Sequence, residues 1–143
     1  MQIAFYKGRE RFTDKFIGWW LDGKYTHAEL IIGTCMDGSK LCVSSSSLDG
    51  GVRLKQIKLN PAHWDVVEVG GNQNYAIEWY LDHRDGPYDW LGLLGFVYRR
   101  YHGKRHKWFC SEAIMAMLQY QDPWRFEPNL MHSFFNNSKS LVT

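Results

Sequence analysis

The chain opens with a short run, QIAFYK at 2–7, that mixes apolar with β-favouring residues and stops at Gly8, which predicts a strand. The pattern then changes period. In RFTDKFIGWWLDG at 11–23, Phe12, Phe16, Trp19 and Trp20 recur at helical spacing, Thr13 and Asp14 stand near the start and Gly23 supplies a stop, so an amphipathic helix is expected. Three short β-type runs follow: THAELIIG at 26–33, KLCVSSSS at 40–47 and GVRLKQI at 51–57. The segments between them, TCMDGS and SLDGG, each carry an Asp-Gly pair, the strongest short-range signal for a hairpin. An antiparallel meander is the expected result.

WDVVEVG at 64–70 reads as a further strand, closed by Gly70 and Gly71. NQNYAIEWYLDHRDG at 72–86 places Tyr75, Ile77, Trp79 and Leu81 ahead of a polar stop and is read as a helix. PYDWLGLLGFVYRRYHG at 87–103 opens on proline, which a first helical turn tolerates, and reads as a helix weakened by Gly92 and Gly95. The clearest helix is CSEAIMAMLQY at 110–120, where Ala113 aligns with Met117 and Ile114 with Leu118. The tail from Asp122 begins with turns and ends without periodicity, so no element is assigned there. Neither internal repeats nor a linker divides the chain, which reads as a single domain over 1–143.

Composition narrows the class. With 45% hydrophobic and 16% aromatic residues in 143, the chain is long enough to bury a core without metal or disulfide support, and disorder is excluded. The charge balance, 17 Lys and Arg against 15 Asp and Glu, is too even to argue for a nucleic-acid partner by itself, so local clustering must carry any such claim. No apolar run is long enough to cross a bilayer. The opening residues show no basic region followed by an apolar stretch and a cleavage site, so no signal peptide is expected. The three cysteines, Cys35, Cys42 and Cys110, are odd in number and widely spread, which does not read as a disulfide framework. A reducing, cytoplasmic setting is expected.

Candidate chemistry centres on HKWFCSEAIMAML at 106–118. Cys110 immediately precedes the apolar-periodic run, and the positive end of a helix is one established way to favour a thiolate. A nucleophilic cysteine also needs a base, and His27, at the start of a predicted strand, is the candidate. Period two puts Glu29 on the same side of that strand, roughly 7 Å along. Ser44 or Ser46 on the next strand could lie opposite. Each residue also has an ordinary reading: free cysteine is among the most buried residue types, His27 reads as a satisfied or surface histidine, Glu29 fits a plain polar alternation, and Ser44 to Ser47 fit a solvated edge or loop. His102, His106 and Cys110 recur every four residues as metal ligands on a helix would, but Gly103 and the surrounding Lys and Arg argue against a continuous helix, so no metal is expected. YRRYHGKRHK at 98–107 concentrates basic residues among aromatics just before Cys110, where it would bias a cleft toward anionic substrates. Trp19 and Trp20 read as core.

Taken in order, KYTHAELIIG, the GGV closing the next hairpin, GPYDWLGLLGF and WFCSEAIMAML resemble the circularly permuted papain-like cysteine hydrolases of the NlpC superfamily, in particular the YiiX-like branch. There the histidine strand precedes the cysteine helix. The resemblance runs from about residue 3 to residue 130, and its most specific parts are FCSE at a helix start, PYDW upstream and the Thr-His strand.

The resemblance implies an α+β, NlpC-type fold: a small antiparallel sheet packed against helices, with the start of the Cys110 helix facing the His27 strand. It implies that Cys110 is the nucleophile, that His27 is the general base and that Tyr88 lines the cleft. Ser111, Arg99 and Arg100 are the other substrate-contact candidates. The family usually carries His, Glu, Asn or Gln on the strand after the histidine, and here that strand reads CVSSSS, so either Glu29 or Ser44 takes the orienting role. The expected activity is cysteine-dependent hydrolysis of an amide through an acyl-enzyme, without a cofactor. A cell-wall peptide is one substrate class; lipid, ester or thioester acyl transfer, as in lecithin:retinol acyltransferase-like proteins, is a second. A non-catalytic binding module that keeps the fold is a third reading, and the oligomeric state stays open.

Overall fold

The computed structural model describes residues 1–8, 23–84 and 108–140. Within them, five strands form one antiparallel sheet: β1 (Gln2–Tyr6), β2 (His27–Thr34), β3 (Lys40–Ser46), β4 (Gly51–Ile57) and β5 (Trp64–Glu68), in the order β4-β3-β2-β1-β5. The predicted strands therefore form, with ends moved by a residue or two. Both Asp-Gly turns work as their chemistry requires, because Gly38 and Gly50 adopt φ of +81° and +84°, where a side chain is disfavoured. β2 lies at the centre of the sheet, paired with β1 from Gln2↔Ile31 to Tyr6↔His27 and with β3 through Leu30↔Val43 and Ile31↔Cys42.

Three helices are described: α1 (Gln73–His83), α2 (Cys110–Met117) and α3 (Pro128–Ser140). α1 is capped by Asn72, whose side chain accepts from the N–H groups of Asn74 and Tyr75 at 3.0 and 3.2 Å. α2 is closed at its far end by Gln119 at φ +64° and by the Tyr120 N–H, which donates to Met115 O at 3.0 Å. α3 corrects the expectation of an irregular tail. Pro128 suits a first helical position, and Glu127 accepts from the backbone N–H of Asn129 and Leu130 at 2.8 and 2.5 Å. Among its described residues after Pro128, only the apolar Met131 and Phe135, four residues apart, are buried, so the stripe is narrow and is diluted by Asn and Ser.

Alternation gives the sheet two apolar faces. One carries Ile3, Phe5, Ala28, Leu30, Val43, Val52 and Val67, packed against Ala76 and Trp79 of α1, Ile114 and Met117 of α2, and Met131 and Phe135 of α3. Each such large side chain contributes about 1.5–3 kcal/mol by leaving water. The smaller cluster, Ala4, Ile31 and Cys42, packs with Ile57, Leu59 and Trp64. Among the described residues no helix is long and apolar enough to cross a membrane. The helices expected at 11–23 and 87–103 fall wholly or almost wholly outside the described residues.

Candidate active site

His27 is the first residue of β2, and period two places Glu29 beside it, with His27 Nε2 2.7 Å from Glu29 Oε1. Glu29 is 1% exposed. A carboxylate that deep is stable only with partners, and the sheet supplies two. One is His27. The other is Arg53 on β4, which donates from Nη1 to Glu29 Oε2 at 2.7 Å and from Nη2 to Oε1 at 2.5 Å. Arg53 sits opposite Ser44 on β3, and continuing the β2–β3 register puts Ser44 opposite Glu29. The small serine leaves room for the guanidinium to reach across β3. Ala4, opposite Glu29 on β1, is equally small.

The network continues outward. Arg53 Nε donates to Asp49 Oδ2 at 2.8 Å, and Lys55 Nζ donates to Asp49 Oδ1 at 3.0 Å. Charges of alternating sign thus run from the exposed end of β4 to the histidine.

Cys110 opens α2, so its backbone N–H has no acceptor within the helix. Its side chain is fully buried and lies close enough to the His27 ring to raise the ring's pKa. The His27 side chain keeps 22% of its surface exposed, so the ring is where this group of side chains meets solvent. Two serine hydroxyls fix the helix start. Ser45 donates to Trp108 O at 2.6 Å and Ser111 donates to Phe126 O at 2.5 Å. Trp108 is buttressed in turn by α1, where Trp79 stacks on His83 and meets Trp108 edge-on at 4.8 Å.

The electrostatics follow from these contacts. Burial opposes charge on the His27 ring, but the Glu29 carboxylate and the Cys110 side chain outweigh it and raise the pKa to about 10. Burial likewise works against the Glu29 carboxylate, yet Arg53 and His27 hold it below the usual carboxylate range. Arg53 is partly buried and remains fully charged because Glu29 and Asp49 bind it. Cys42, on the same face as Glu29, behaves oppositely: burial and then the Glu29 charge push its thiol up to about 12.

The structure thus brings Cys110, His27 and Glu29 together. Ser44 is placed differently, with its hydroxyl donating to Ala28 O at 2.6 Å, and Ser111 faces Phe126. Tyr88, Arg99, Arg100 and the basic stretch at 98–107 lie outside the described residues, as do His102 and His106; among the described residues no group of His, Cys, Asp and Glu is arranged to hold a metal. The sequence reading missed Arg53. Its signal was faint: a basic residue at an alternating position of β4, two strands from Glu29. It also gave no hint that the Thr26 hydroxyl, beside His27, is buried without a hydrogen-bond partner among the described residues.

No family model matches the chain, and neither a curated protein nor a solved structure matches it.

Proposed function

We propose that the protein is a cysteine hydrolase of the permuted papain-like type, acting on an amide through an acyl-enzyme. The observation that carries this reading is the His27–Glu29 hydrogen bond with Cys110 beside the ring, the sulfur at a helix start and the carboxylate buried. A thiol, an imidazole and a group that orients the imidazole are the minimum for nucleophilic catalysis. Chance packing has no need to bury a carboxylate behind the ring.

Attack begins with transfer of the Cys110 proton to the His27 ring, which Glu29 supports as a cation. The sulfur bonds to the carbonyl carbon, and the carbonyl electron pair moves to oxygen, which the backbone N–H at the start of α2 stabilises. As the C–N bond breaks, His27 passes its proton to the departing amine. Water then attacks the thioester and gives a proton to His27, the C–S bond breaks, and that proton returns to the sulfur. Glu29 keeps the ring in one orientation and stabilises its charge throughout. An ester or thioester would follow the same course with a different leaving group. The anionic-substrate expectation rests on Arg99 and Arg100 and remains part of the proposal.

The decisive experiment is to trap the acyl-enzyme. The full chain is mixed with activated acyl esters and peptide amides and analysed by mass spectrometry. A mass increase on Cys110 that is absent in Cys110→Ala supports the reading; no acyl adduct with any of these reagents overturns it. The complete burial of the Cys110 side chain favours a second reading, a binding module that keeps the fold. In that case the substitution leaves partner binding unchanged and no substrate is turned over.

A further inference from the structure

The Glu29–His27 contact alone does not account for a carboxylate held by both of its oxygens. Two of the three hydrogen bonds that Glu29 accepts come from one guanidinium. That guanidinium is itself oriented by Asp49 through its third nitrogen. A planar fork of this kind fixes the rotation of a carboxylate in a way that a single ammonium cannot.

We propose that Arg53 is a positioning residue of this site: its fork locks the Glu29 carboxylate, and through Glu29 the His27 ring, in the orientation that meets Cys110. The inference rests on the hydrolase reading and deepens it. Glu29 Oε1 is shared between His27 Nε2 and Arg53 Nη2, so a turn of the carboxylate breaks both contacts. Arg53 has a second effect. The charged or titratable groups around Glu29 are His27 on its own strand, Arg53 on β4 and Cys42 on β3, with Cys110 of α2 beyond the ring. Arg53 is the one permanent cation among them. Without it, burial is opposed by His27 alone, and Glu29 takes up a proton at a higher pH. A protonated Glu29 no longer supports the imidazolium.

The experiment measures the rate of Cys110 alkylation by iodoacetamide against pH in the full chain, with the site read by mass spectrometry. It compares the parent with Arg53→Met and Arg53→Lys, each first checked for folding by circular dichroism. Lysine keeps the charge and loses the fork. In Arg53→Met the plateau rate falls about ten-fold and the acid midpoint of the profile rises by about one unit. In Arg53→Lys the plateau falls while the midpoint stays within about half a unit of the parent. Parent-like rate and profile in Arg53→Met overturn the inference, and so does an equal loss in both variants with unmoved midpoints, the pattern of general loosening. If Arg53→Met does not fold, Arg53→Lys decides: a lowered plateau supports the inference and an unchanged one overturns it. A parent whose Cys110 labels no faster than free cysteine overturns the hydrolase reading and this inference together, whereas a fast parent indifferent to Arg53 overturns the inference alone.

Discussion

Arg53 on β4 and Glu29 on β2 are joined by two hydrogen bonds that span the strand between them, at 2.7 and 2.5 Å. Breaking a buried pair of this kind from one side leaves an uncompensated charge, so the two partners of Glu29 are expected to respond differently to substitution.

Glu29→Gln removes the charge that stabilises the imidazolium while keeping the shape of the side chain. Turnover should fall by roughly 10²–10⁴-fold. Ser44→Ala, which loses a bond to Ala28 O, should cost far less. Initial rates on any ester the parent cleaves provide the measurement, and the reverse ranking would give the orienting role to the serine strand.

Stability should depend on pH in a defined direction. Because the folded state raises the His27 pKa from 6.5 to about 10, its contribution is fully present below about 6.5 and is lost as pH rises through about 10. Glu29, held low when folded, contributes above its ordinary range and loses that contribution under acid. Thermal melting across this range should show the alkaline decline in the parent and a flatter curve in His27→Gln. An unchanged slope in the variant would assign the decline to other groups.

Thr26 offers a test with the opposite sign. Its buried hydroxyl has no hydrogen-bond partner among the described residues, and a buried donor left unsatisfied costs about 1–3 kcal/mol. Thr26→Val should therefore stabilise the protein by about 1 kcal/mol, a rise in melting temperature of about 3 °C. A lower melting temperature would mean that the hydroxyl is satisfied in solution.

The thiols should separate kinetically. Cys42 is fully buried with its pKa pushed up to about 12, and it has no base comparable to His27. Brief iodoacetamide treatment of the folded protein at neutral pH should modify Cys110 well before Cys42. Equal labelling would count against the pairing of Cys110 with His27.

α3 should prove integral to the fold. Met131 is completely buried in the main core, so Met131→Ala should cost about 2–5 kcal/mol, read by chemical denaturation. The Asn129 side chain also ties this helix to Tyr25, accepting from its N–H at 2.8 Å and donating to its carbonyl at 3.0 Å. A loss below about 0.5 kcal/mol would show that the helix is peripheral.

What the sequence disclosed follows from how local each signal is. The strands from His27 to Ile57 are legible because Asp37-Gly38 and Asp49-Gly50 announce the turns and the alternation between them is regular. The nearness of Glu29 to His27 is legible for the same reason, since two residues along a strand always share a side. Arg53 is not, because its approach to Glu29 depends on the register of three strands and on a serine small enough to be crossed. α3 is hidden by the narrowness of its stripe, two buried side chains among polar ones.

The order of the parts along the chain has a consequence for synthesis. Glu29, His27 and Arg53 all lie on strands that precede Cys110. As the chain emerges from its N-terminus, the sheet that carries the base and its partners can assemble while the nucleophile is still to come. Cys110 comes beside His27 only when α2 docks on the finished sheet, so under the proposed hydrolase reading thiol reactivity is a late product of folding and its appearance reports that docking step.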